Sequence, residues 1–209
     1  KSHWKRNNPN PGELDLRDGI TIHKSYPDPE GLLDTAWEDL ERFMKDICVE
    51  VSQVNSSVQK NNQCIAIKAI YEEQETYESY CIEIKQKEIV IKAGDLEGIR
   101  RGIYYLEDMI LASDGPFLEN VTIKRTPWIK NRISRCFFGP IKRPPFNRDE
   151  LMDEVDYYPD EYLNRLAHEG INILWLTVEF RDICKTDLVP EYGKDRERRL
   201  AKLRRTVDK

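Results

Sequence analysis

Hydrophobic and polar positions along this chain follow two different rhythms, and the change comes near residue 127. In the first stretch, Gly19 to His23 (GITIH) alternates apolar and polar residues, as a half-buried strand does. From Pro29 the spacing turns helical. Leu32, Leu33, Ala36, Trp37, Leu40, Phe43, Met44, Ile47 and Val51 form one apolar stripe, with acids and lysines between them. Pro29 suits the first turn, where its missing donor costs nothing. Ser52 to Asn62 is polar and reads as a loop. Strand patterns follow at Cys64 to Tyr71, Tyr80 to Lys85 and Glu88 to Lys92, the last two joined through Gln86 and Lys87 as a hairpin. Asp95 then reads as the N-cap of a second amphipathic helix to about Leu111, with Leu96, Ile99, Ile103, Leu106, Met109 and Ile110 on its buried side. A short strand at Val121 to Lys124 closes the stretch. Several strands with two helices predict an α+β sandwich, a sheet covered on one face.

Past Trp128 the pattern is that of a parallel α/β domain. Arg132 to Phe138 (RISRCFF) is a compact apolar strand, followed by a long polar loop from Gly139 to Asp156. Pro159 to Glu169 reads as a helix with Gly170 placed to stop it. Ile171 to Val178 (INILWLTV) is nearly all apolar, as expected of a strand buried on both faces. A charged loop leads to a last helix from about Asp195 to the end. Strand, helix, strand, helix with short returns is the βαβ signature. The fold class expected is therefore α/β, with an α+β domain over 1–127 and an incomplete (β/α) barrel segment over 128–209.

Composition narrows the partners. The chain has 209 residues, 33 Lys and Arg against 38 Asp and Glu, and a formal net charge of −5. That balance argues against nucleic acid, whose phosphates require a basic surface. No apolar run approaches the roughly 20 residues that span a bilayer, so no membrane partner is expected. The cysteines Cys48, Cys64, Cys81, Cys136 and Cys184 are odd in number and form no CxxC pair. They read as buried free thiols rather than a disulfide framework or zinc site, which favours a reducing, cytoplasmic compartment. His168 and Glu169 stand in HEGIN rather than HExxH, so zinc-protease chemistry is dismissed, and no metal or other cofactor is expected.

The run YCIEIKQKEIVIKAGDLEGIRRGIYYLEDMI resembles the non-catalytic N-terminal domain of glycoside hydrolase family 20 β-N-acetylhexosaminidases, a domain whose relative also precedes the barrel of α-glucuronidases. Gly98, Arg101, Gly102 and Leu106 match that domain's helix pattern. PWIKNR is similar to the family's entry into barrel strand one, and HEGINILWLTVEFRD to its helix-one and strand-two segment. The resemblance runs in order over about Cys64 to Asp182. It implies a glycosidase that uses carboxylate acid/base chemistry, with the catalytic acid at the end of barrel strand four. Only two barrel strands are read here, so the catalytic residues are expected beyond this chain. The family's aspartate late in strand one falls at about Phe137, and its His and Asp after strand two are replaced by Trp175, Thr177, Glu179 and Asp182. A glycan other than an N-acetylhexosamine is implied.

Sites of (β/α) barrels form at the carboxyl ends of the strands. The candidate substrate-binding residues are Arg132, Trp175, Glu179, Arg181 and Asp182. Arg132 matches the family's sugar-binding arginine, and a guanidinium fork suits vicinal hydroxyls or a carboxylate; its other reading is a structural ion pair at the domain junction. Glu179, Arg181 and Asp182 follow strand two and offer charged partners for hydroxyls, or else form an ordinary solvated loop. Trp175 could stack on a sugar ring or belong to the barrel core. Tyr157 and Tyr158 could line a sugar site or pack on the surface. Lys194 to Arg205 is basic, but Leu200, Leu203 and Val207 stripe it, so it reads as an outer helix with a solvated face. The expected function is the front part of a glycosidase, with a carbohydrate substrate; the other reading is a non-catalytic carbohydrate-binding or structural module. Two barrel strands would leave an unpaired edge and an apolar face, so self-association is expected as well.

Overall fold

The computed structural model describes residues 4–47, 49–53, 64–137, 140–143 and 145–209. Cys48, most of the Ser52–Asn62 loop, Phe138, Gly139 and Pro144 lie outside the described residues, as does the side chain of Cys136. The chain divides into two compact units, Lys1–Trp128 and Ile129–Lys209.

In the first unit, β1 (Glu13–Asp15) leads through a 3-10 turn to β2 (Ile20–His23), then α1 (Asp34–Asp46), β3 (Val51–Gln53), β4 (Ile65–Tyr71), β5 (Tyr80–Lys85), β6 (Glu88–Ala93), α2 (Leu96–Ala112), β7 (Phe117–Glu119) and β8 (Thr122–Arg125). Six strands form one mixed sheet in the order β3-β2-β4-β6-β5-β8. The pairs β2–β3, β2–β4 and β4–β6 are parallel, whereas β5 is antiparallel to both β6 and β8. Period-two alternation gives the sheet one dry face and one wet face. Ile20, Ile22, Ile67, Ile82, Ile84, Ile89 and Ile91 are at most 2% exposed, and α2 packs over β5 and β6 with α1 beside it. The other face carries ion pairs such as Lys92 with Glu83 (2.6 Å) and Glu72 (3.1 Å).

The helix ends follow local chemistry. The Asp95 side chain accepts the Gly98 N–H at 2.7 Å and so caps α2. Proline does not open α1: Asp28 accepts the N–H groups of Leu32 (3.0 Å) and Leu33 (2.7 Å), and the helix begins at Asp34. The helix also stops at Asp46 rather than running to Val51, which enters β3 instead. The short pair β1–β7, joining Glu13–Asp15 to Phe117–Glu119, was not readable from local pattern.

In the second unit the elements are β9 (Ile133–Phe137), β10 (Pro140–Arg143), β11 (Phe146–Asp149), α3 (Asp160–His168), β12 (Ile173–Thr177), α4 (Phe180–Ile183) and α5 (Arg196–Val207). β9 and β12 pair in parallel, with Ile133 opposite Ile173 and Phe137 opposite Thr177. Gly170, at φ 88, ends α3, and the Ile171 N–H returns to the Leu166 carbonyl at 2.9 Å. Two expectations are corrected here. The segment expected as a polar loop after strand one holds the antiparallel hairpin β10–β11, which its prolines and basic residues conceal. β12, expected to be dry on both faces, is covered on one only. Leu174, Leu176 and Val178 pack with Leu163 of α3 and Leu203 of α5 around Leu151 and Tyr158, while Ile173 and Trp175 on the other side are 38% and 60% exposed. An apolar run records that a strand has apolar neighbours available, not that both faces are covered.

Candidate functional site

Parallel pairing places the carboxyl ends of β9 and β12 on the same side, and the chain leaves β12 directly into a charged turn. Glu179 keeps an extended backbone before the one-turn α4. Its carboxylate receives the Arg181 Nε at 2.5 Å, and both side chains stay accessible, 39% and 50% exposed. The main chain of this turn is held from behind: the Gly193 N–H donates to the Arg181 carbonyl at 2.8 Å, and the Arg196 Nε to the Ile183 carbonyl at 2.9 Å.

Asp182 points the other way. It is buried, and its Oδ2 has no hydrogen-bond partner among the described residues. Burial pushes its carboxyl above the usual carboxylate range; Arg199 opposes this, Glu179 and Asp149 add to it, and Arg181 opposes it more weakly. Arg199 is itself committed to Asp149, donating at 3.0 and 2.7 Å to its two oxygens. The arrangement is thus layered: an accessible Glu179–Arg181 pair, then the partly buried Asp149–Arg199 pair and the buried Asp182. The front pair offers both an acceptor and a fork of donors, which suits a hydroxyl-rich ligand. Among the described residues no group of three His, Cys, Asp or Glu could hold a metal ion.

The other candidates lie elsewhere. Arg132 precedes β9, at the opposite end of the strands, about 15 Å away for five residues of strand rise. Its N–H donates to the Asn172 Oδ1 at 2.9 Å, its Nη1 to the Ile129 carbonyl at 2.7 Å, and its Nε to the Gly170 carbonyl. Trp175 sits mid-strand on the bare face, with the Arg135 guanidinium 5.9 Å from its ring centre. Tyr157 donates to Asp153 at 2.7 Å and stacks under Arg148, and Tyr158 is buried.

Residues that sequence reasoning missed are Asp149 and Arg199, separated by fifty positions. The only signal was the basic run of α5, read as a solvated face. A solvated face is present at Arg204 and Arg205, but Lys202 is buried. Arg198 donates to the Met152 carbonyl at 2.6 Å, and Lys202 to the Asp153 and Val155 carbonyls at 3.0 and 2.5 Å, so the positive residues hold the acidic segment after β11. The free thiols Cys64 and Cys184 are half-buried rather than buried, and Cys81 is buried.

No family model matches the sequence, and no curated protein matches it. Solved structures do match in fold. A GH138 enzyme targeting pectin rhamnogalacturonan II aligns with a TM-score of 0.60 at 18% identity, over 88% of this chain and 29% of its own. The chitobiase FjGH20 of Flavobacterium johnsoniae gives 0.56 at 17% identity, over 88% and 28%. CpGH84D gives 0.57 at 11% identity, over 98% and 42%. The chain spans less than half the length of each. Its fold is shared with glycoside hydrolases of families 20, 138 and 84 across most of its length.

Proposed function

We propose that this chain is the front part of a glycoside hydrolase. Residues 1–127 act as an accessory α+β domain, and residues 128–209 as the first βα units of a (β/α) barrel. The observation that carries the reading is the one-sided covering of the β9–β12 pair. Helices α3 and α5 pack on Leu174 and Leu176, while Ile133, Ile173 and Trp175 form a bare face. A barrel wall has this form: helices outside, apolar side chains turned toward a shared interior. The fold likeness to longer glycoside hydrolases supports the same assignment.

In this reading the Glu179–Arg181 pair meets a glycan at the barrel mouth, and Asp149, Arg199 and Asp182 keep that turn in place. Trp175 belongs to the interior. Arg132, engaged by three backbone and side-chain oxygens, serves as a clamp at the start of the strands. The two carboxyl groups that glycoside hydrolysis needs come from later strands. Left with a bare face and free strand edges, the 209-residue chain self-associates.

Sequencing the reading frame past Lys209 tests the proposal. Further βα units that include a carboxylate pair would support it; a stop codon would favour a non-catalytic carbohydrate-binding or structural module. Pure 209-residue protein is expected to show no turnover of aryl glycosides, and measurable turnover would place the catalytic groups within these residues.

A further inference from the structure

Three loops of the first unit meet at one edge of its sheet. Strands β2, β4 and β6 run parallel, so the segments leaving their carboxyl ends, 24–33, 72–79 and 94–95, emerge on the same side. Hydrogen bonds tie these loops together. The Ser25 Oγ donates to the Ala69 carbonyl at 2.8 Å, the Glu72 N–H to the Ala93 carbonyl at 3.0 Å, and the Glu78 N–H to the Asp95 Oδ2 at 3.0 Å. Arg100 of α2 donates to the Leu32 carbonyl at 2.6 Å. Glu78 is held at φ 65, a left-handed backbone that costs free energy in a glutamate.

The anchored loops present rings and carboxylates to water. Tyr71 is 61% exposed, Tyr77 51% and Leu32 50%, and Tyr26 is half-buried. Partial burial raises the Tyr26 hydroxyl, with Asp95 and then Tyr71 adding to it, and raises that of Tyr77, with Glu97 and Asp95 adding. The three rings therefore share one acidic neighbourhood. Residues 72–79 hold Glu72, Glu73, Glu75 and Glu78 and no base. Glu72 is paired with Lys92 at 3.1 Å. Glu30, Glu73 and Glu75 are exposed and make no ion pair among the described residues.

We propose that this rim is a docking site for a basic segment of a partner protein, in which Tyr71 and Tyr77 take arginine or lysine side chains against their rings and Glu30, Glu73 and Glu75 supply the opposite charge. Charge complementarity selects the occupant. A cation is drawn to an aromatic face, and a guanidinium or ammonium beside a carboxylate forms the stronger kind of hydrogen bond. Nucleic acid or an anionic glycan is repelled by the same carboxylates. A neutral glycan would stack on the rings but gain little from three unpaired charges. Because the loops are already fixed by their own hydrogen bonds, docking orders little new backbone. The site lies wholly in the first unit and holds whether or not the second unit belongs to a glycosidase.

Amide nitrogen–proton spectra of the 209-residue protein, titrated with hexa-arginine, hexa-lysine, hexa-glutamate and maltohexaose, test the assignment. Hexa-arginine should shift the amides of residues 26–32 and 71–79 to saturation, with hexa-lysine weaker because its ammonium does not stack as a guanidinium plane does. Affinity should fall at least about fivefold between about 0.05 and 0.3 M NaCl. The double variants Glu73→Gln with Glu75→Gln, and Tyr71→Ala with Tyr77→Ala, should each weaken binding about fivefold or more. Unchanged β5 and β6 amides would show that a variant is folded; if the tyrosine pair fails this check, the glutamine pair decides. Shifts spread evenly over the surface, or none with hexa-arginine, would overturn the site. So would unaltered affinity in the glutamine pair, or the same shifts from maltohexaose with hexa-arginine silent, which would make the rim a glycan surface instead.

Discussion

Arg199 reaches across fifty positions of sequence and grips Asp149 with both terminal nitrogens, at 3.0 and 2.7 Å. The two side chains are 12% and 26% exposed, so the pair is mostly out of water. Removing one partner of such a pair strands the other, at a cost toward the 3–5 kcal/mol seen for buried pairs. Arg199→Met should therefore destabilise the second unit by about 2–3 kcal/mol in urea denaturation. Arg199→Lys, which keeps charge but loses the fork, should cost less. Equal stability of Arg199→Met and the native protein would show that the pair contributes nothing.

Asp182 carries the pH dependence of the same group. Its carboxyl is raised, chiefly by burial, so the folded state holds its proton more tightly than the unfolded state. Stability from this group is complete below the ordinary Asp range near 3.9 and declines as pH rises above it. Asp182→Asn should match the native protein near pH 3.5 and exceed its stability at pH 7. A loss at pH 7 that vanishes near pH 3.5 would mean that Asp182 is needed as an anion.

Gly98 and Gly102 give α2 its close seat on the sheet. A Cβ at Gly98 would lie 2.6 Å from the Ser79 carbonyl oxygen and 2.7 Å from the Ala93 Cβ; one at Gly102 would lie 2.5 Å from the Ile91 Cγ2. Alanine normally gains about 1 kcal/mol over glycine inside a helix. Here overpacking outweighs it, by about 2 kcal/mol for Gly98→Ala and about 1 kcal/mol for Gly102→Ala, where a side chain can give way. Thermal melts should rank them in that order.

Lys87 turns the β5–β6 hairpin at φ 64, a left-handed backbone that lysine tolerates poorly. Lys87→Asn or Lys87→Gly should raise stability by about 0.5–1 kcal/mol. A drop in the melting temperature would imply that the lysine head does more than fill the turn.

Trp175 lies 60% exposed beside Ile173 and Ile133. Sedimentation velocity of the 209-residue protein should show concentration-dependent association, and Trp175→Lys should weaken it while leaving the circular dichroism unchanged. A native protein that is monomeric at every concentration would refute self-association through this face.

What local pattern alone settled was the identity of the main elements. The stripes of α1 and α2, the alternation of β4 to β6, the Asp95 cap and the Gly170 stop are all encoded within a few residues of where they act, because helix and strand periods are local. The mixed α/β architecture followed from their order. Tertiary structure alone decided the rest. β1 pairs with β7 across a hundred residues, the β10–β11 hairpin forms in a proline-rich segment, and β12 has one bare face. The site divides in the same way: Glu179, Arg181 and Asp182 were visible as the charged turn after an apolar strand. Which of them would be buried, and that Arg199 and Asp149 would stand behind them, depended on how α5 folds back. Pairing between distant positions leaves no period in the sequence, so only the folded chain reveals it.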